Sequence, residues 1–124
     1  MTPRALDPTP RFAHDRLDAY RVALEALVRG EAIGRSLPRG YSTLGDQLRR
    51  ALLSAFLGVA EAAGRSGADR LSRFRCARGE ASEAAAALDA VLALELAPPE
   101  PVERTIELLA RPHAMLTRLA TAGR

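Results

Sequence analysis

Seven arginines in the middle of the chain, Arg49, Arg50, Arg65, Arg70, Arg73, Arg75 and Arg78, carry most of its chemical potential. A guanidinium is permanently charged and presents five N–H donors in a planar fork, which grips phosphate or carboxylate oxygens in pairs. Two uses are open to them. In one, they solvate helix faces, with the Arg49–Arg50 pair held by Asp46 or Glu61. In the other, they contact phosphates of a polyanion. Arg70 has Phe74, not an acid, one turn further on, and unpaired like charges a few residues apart repel each other. A ligand would relieve that repulsion.

The remaining reactive side chains are poorly placed for catalysis. Glu80 and Glu83 share a helix face, and Glu61 lies upstream. A di-metal bundle, however, needs Glu-x-x-His pairs on two helices. The two histidines, His14 and His113, follow no such glutamate. Cys76 is alone, so with two distant histidines it makes a poor zinc set and cannot form an intramolecular disulfide. A helical ribonuclease would need an Arg five to seven residues before a His. Arg11 and His14, like Arg111 and His113, are too close. Structural ion pairing is the expected role of the glutamates. The chain reads as non-enzymatic, with no cofactor and no metal.

The charge distribution is uneven. All 18 basic residues are Arg, and the net charge is only +3. Residues 39–78 nevertheless hold eight Arg against Asp46, Glu61 and Asp69, so the rest of the chain is slightly acidic. A GC-rich genome would equally account for the use of arginine alone. The asymmetry favours a polyanionic partner. Aromatic residues are few, so nucleic-acid binding would be directed at phosphates and not at bases.

The elements that must position these groups are helices. Residues 1–11 contain three prolines and no periodicity, and read as a flexible arm. Residues 12–122 read as one domain. A first helix is predicted over about 13–36, with Leu17, Tyr20, Leu24, Leu27 and Val28 on one face. Leu37-Pro-Arg-Gly40 stops it. A second runs from a Ser42 N-cap to about Arg65, with Leu44, Leu48, Leu52, Ala55, Val59 and Ala62 as its stripe. A third follows from about Ala68 to Leu96 on Leu71, Phe74, Ala77, Ala81, Ala84, Leu88 and Val91 or Leu92. Its alanines reflect either helix propensity or a close interface. The fourth carries Val102, Ile106, Leu109, Leu116 and Leu119, and Pro112 should kink or shorten it. Short connections make neighbours antiparallel, which predicts an all-α, up-down-up-down four-helix bundle. No apolar run is long enough to span a bilayer and the N-terminus lacks a secretory pattern, so a cytoplasmic protein without a membrane partner is expected.

One family shares these motifs in order and spacing. Gln47-x-Arg49-Arg50-Ala51-x-x-Ser54, then Val59-Ala60-Glu61, Arg65 and Ala77-Arg78-Gly79-x-x-x-Glu83 resemble the bacterial four-helix-bundle family of the ribosomal RNA intervening-sequence proteins. That family includes the accessory variability determinant proteins of diversity-generating retroelements. The chain departs from the family at Gly58, where Asn is usual, and at Ala62, where Gly is usual. It departs again at Gly79-Glu80, where Gly-Ser is usual, and at Arg73, where an apolar residue is common. The resemblance implies a homo-oligomeric ring, typically a pentamer, with a basic surface. In the retroelement branch it implies nucleic acid and a reverse transcriptase as partners. The alternative is a structural or protein-interaction bundle that binds no nucleic acid.

Overall fold

The computed structural model describes residues 12, 13 and 17–121, and those residues form four helices with no strand. They are α1 (Asp18–Ser36), α2 (Ser42–Ala63), α3 (Gly67–Ala93) and α4 (Pro99–Thr121). Each helix packs on its sequence neighbours, α1 closes against α4, and no diagonal pair touches. This is the antiparallel four-helix bundle expected from the short connections. The arm over 1–11, His14 and the last residue of the predicted domain lie outside the described residues.

The core divides along the bundle axis. One cluster contains Ala26, Ile33, Leu48, Leu52, Leu88, Val91, Val102 and Leu108, at the end where the α1–α2 and α3–α4 turns lie. A smaller one contains Ala19, Val59, Ala62, Phe74, Ala77, Leu116 and Ala120, at the α2–α3 turn. The predicted stripes of α2 and α3 face these clusters, except that Leu44, Leu71 and Leu92 are only half-buried. On α4, Val102, Leu109 and Leu116 are buried as expected, whereas Ile106 and Leu119 are half-buried and Thr105, Leu108, Pro112 and Ala120 complete the buried face. Thr105 is buried without penalty because its hydroxyl donates to the Pro101 carbonyl at 2.8 Å.

The predicted face of α1 is corrected. Its buried residues are Ala19, Val22, Ala23, Ala26, Gly30 and Ile33, while Leu17, Tyr20, Leu24, Leu27 and Val28 lie on the half-exposed flank. The reason is the closeness of α2. A Cβ on Gly30 would collide with the Leu52 side chain, and one on Gly45 would sit 2.7 Å from the Gly34 carbonyl oxygen. Small residues therefore take the inner positions, and larger ones seal the joint from the side. Tyr20 does so by stacking on Phe56, with ring centroids 4.9 Å apart.

Three local expectations change as well. Ser42 is the first helical residue of α2 and Tyr41 its cap, with no side-chain capping bond. Pro112 neither ends nor splits α4, which runs on to Thr121 with the proline ring in the core. And α3 ends at Ala93, before the proline cluster, in a turn that satisfies its last carbonyls. Glu95 N–H donates to Leu92 and Leu96 N–H to Val91, with Glu95 at φ +54°. That left-handed position normally takes Gly.

Substitutions test this packing. Leu88→Ala should cost about 2–5 kcal/mol in denaturant melts, as a fully buried leucine would. Gly45→Ala should cost about 1–3 kcal/mol, because the obstructing atom is backbone and cannot rotate away. Gly79→Ala, which meets nothing within 4 Å, should instead stabilise by about 0.5–1 kcal/mol through helix propensity. Equal effects at the two glycines would refute the close α1–α2 approach.

Candidate nucleic-acid interface

The bundle sorts the seven arginines into bound and free. Arg49 belongs to the first group. Its stem lies over Gly34, where a Cβ would come within 2.8 Å of Arg49 Cγ. From there its guanidinium makes a two-pronged contact with Glu31, Nη2 to Oε1 at 2.8 Å and Nε to Oε2 at 2.9 Å. Asp46 stands 3.7 Å from the third nitrogen, and Arg35 flanks Glu31 at 3.7 Å. The Arg49 hydrogen bond holds the Glu31 carboxyl below its ordinary value, against a smaller opposing effect of burial. The same bond raises the Arg49 guanidinium.

Arg65 and Arg73 are bound too. They share Glu61 and Asp69 across the α2–α3 turn. Arg65 reaches Asp69 at 3.1 Å and Glu61 at 3.4 Å, and Arg73 reaches Glu61 at 2.9 Å and Asp69 at 3.6 Å. Two cations facing two anions leave no net charge there. All four side chains are roughly half exposed, so individual pairs contribute little and the network serves mainly to hold the turn. Of the glutamates expected in ion pairs, Glu61 is in one, whereas Glu80 and Glu83 have none among the described residues. Asp46, as expected, faces Arg49, and the longer-range partner Glu31 comes from α1.

The other four are uncommitted to any carboxylate. Arg70 lies over the Phe74 ring, 5.3 Å from its centroid, which answers the missing acid one turn on. Arg75 makes a long contact of 3.5 Å to the Ala120 carbonyl on α4. Arg50 and Arg78 have no hydrogen bond or ion pair among the described residues. Arg50 projects on the outward face of α2, beside the exposed Leu53 and Leu57. Arg75 and Arg78 project on the α4 side of α3, and Arg73 on the α2 side. The seven thus form no single patch.

Two further arginines belong in any account of the surface. Arg111 and Arg118 are exposed on α4 and have no ion pair among the described residues. Their seven-residue spacing in a stretch without acids was the available signal. No family model matches this chain, and no curated protein matches it significantly. Among the described residues no three His, Cys, Asp or Glu side chains converge as a metal site, and no helix is long and apolar enough to cross a membrane. Cys76 is exposed.

The Glu31 pair sets an acid dependence. Its folded-state carboxyl titrates below the ordinary 4.5, so the pair's contribution is complete above that value and is lost as pH falls through the lowered one. The stability gap between wild type and Glu31→Gln should be constant near neutrality and close as pH drops below 4.5. Denaturant melts across that range measure it. A gap that widens on acidification would reverse the assignment.

Proposed function

We propose that this chain is a non-enzymatic binding or scaffold protein that assembles into a basic homo-oligomeric ring and engages nucleic acid through phosphate contacts. The observation that carries the reading is the sorting of the arginines. Pairing absorbs Arg49, Arg65 and Arg73, yet among the described residues Arg50 and Arg78 stay without partners and Arg75 has only a long contact to a carbonyl. Cations held on rigid helices with nothing to neutralise them suit a polyanion. The motif resemblance over residues 47–83 supports assembly into a ring, with a pentamer as its typical size, and a cytoplasmic role as accessory to a reverse transcriptase of a diversity-generating retroelement. The groove between α1 and α2, about 660 Å³ and lined by Leu27, Val28 and Leu53, adds apolar surface that a protein contact would cover. That groove also favours the second reading, a purely protein-interaction bundle whose arginines serve only solubility.

Two measurements separate these readings. Light scattering at micromolar concentration should give a mass several times that of one chain, and a monomer would remove the ring. Fluorescence anisotropy with random-sequence duplex should show affinity falling with salt, at a slope of about −0.9 per phosphate neutralised. Arg78→Glu should weaken binding to all sequences alike, because phosphate contacts do not read bases. A folded oligomer that binds no duplex at low salt would establish the second reading.

A further inference from the structure

A ten-residue stretch of α3, between Asp69 and Glu80, and the second half of α4 are each free of acidic side chains. Residues 70–79 contain Arg70, Arg73, Arg75 and Arg78, and residues 108–121 contain Arg111, His113 and Arg118. Far apart in sequence, these stretches are antiparallel neighbours at the end of the bundle where the smaller core cluster lies. Two observations fix their register. Arg75 contacts the Ala120 carbonyl, and Ala81, Ser82 and Ala85 share a shallow groove with Leu109, Ala110 and His113. Arg78 lies between those two levels on α3, which sets it level with Thr117, the residue before Arg118. Arg111 is two turns from Arg118 on the same outward stripe of α4. At about 1.5 Å per residue the pair spans about 10 Å.

The result is a plate of four guanidinium groups, Arg75, Arg78, Arg111 and Arg118, carried by two packed helices. Of the nearby carboxylates, Glu80 lines a groove on the α2 side with Glu61 and Arg73, and Glu83 is exposed past the end of the acid-free stretch; neither has an ion pair among the described residues. Glu107 pairs with Arg104 at 3.4 Å, and Asp89 lies beyond the His113 level, near Ile106. The acids Glu61 and Asp69 are occupied on the opposite flank of α3 by Arg65 and Arg73.

We infer that this α3–α4 plate is the binding surface for a nucleic-acid duplex and grips its phosphate backbone. The inference rests on the nucleic-acid reading above and moves its centre from the middle of the sequence to a surface half made of α4. One strand of a duplex presents a charge about every 3.4 Å of axis, so a 10 Å row of cations meets about three phosphates. Single-strand recognition would use aromatic platforms. None is offered here: Phe74 is buried, and Tyr20 and Phe56 are stacked on each other. A lipid surface would require apolar side chains beside the cations. The exposed large hydrophobic residues, Phe12, Tyr41, Leu53, Leu57 and Leu94, all fall outside these two stretches.

The test compares double charge reversals in the full chain. Arg111→Glu with Arg118→Glu alters the plate. Arg35→Glu with Arg39→Glu makes the same change of net charge at the α1–α2 turn, the opposite end of the bundle, where both side chains are exposed. Binding of a random-sequence duplex is read by anisotropy across salt, with helicity checked by circular dichroism. The plate variant should lose roughly ten-fold or more in affinity at low salt and lower the salt slope by about 1 per arginine, while the control changes little. Arg111→Gln with Arg118→Gln should give a smaller loss in the same direction, which preserves the test if the reversal unfolds. Equal losses from plate and control would mean that net charge alone acts, and would overturn the plate. Wild-type binding that responds to Arg50→Glu but not to the plate variants would overturn the plate and leave the nucleic-acid reading standing. Absence of duplex binding, with or without binding to phosphatidylserine vesicles, would overturn both.

Discussion

The close approach of α1 and α2 is the constraint from which much of this structure follows. Between Gly34 and Gly45 there is no room for a Cβ, and Gly30 gives way to Leu52 in the same manner. Two helices so near each other must present small residues inward, which is why α1 buries alanine, glycine and valine. The closeness also provides the shelf on which the Arg49 stem lies. Gly34 thereby lets Arg49 reach Glu31, and one of the seven central arginines becomes a structural clasp between helices. Packing has decided an electrostatic question.

The same logic acts at the α2–α3 turn. Gly58 meets Ala77 with little to spare, since a Cβ would lie 3.2 Å from the alanine methyl. Close packing there brings Glu61 within reach of Arg73, twelve positions on, and the four-membered network assembles around it. An arginine stands at position 73 because it has a carboxylate across the turn to meet. The arginines of α3 are therefore sorted by helix flank: Arg73 is paired where α3 faces α2, whereas Arg75 and Arg78 meet no carboxylate among the described residues where α3 faces α4.

Much of this fold was legible in the sequence, and the exceptions share one cause. The α2 and α3 stripes could be read because leucine, valine and phenylalanine recur there at helical spacing among alanines. On α1 the larger residues Tyr20, Leu24, Leu27 and Val28 mark the flank, and the buried side is marked by smallness, which hydrophobic periodicity does not weigh. Ion pairs split the same way. Arg49 with Asp46 lies within one helical turn and was readable, whereas Glu31 and Arg49 are eighteen positions apart and only the tertiary fold unites them. Arg111 and Arg118 were overshadowed by the arginine density upstream. Their importance depends on which helix lies beside them, and spacing alone does not carry that information.

The division of the core has a consequence for motion. Among the described residues, fourteen buried ones hold one end of the bundle and seven the other, and the smaller group relies heavily on alanine. Free energy of opening is graded along such a molecule, from the global value at the well-filled end to less at the other. The lightly filled end is the one that bears Arg75, Arg78 and Arg118. An opening confined to that end would change the separation of those charges while leaving the distant cluster closed.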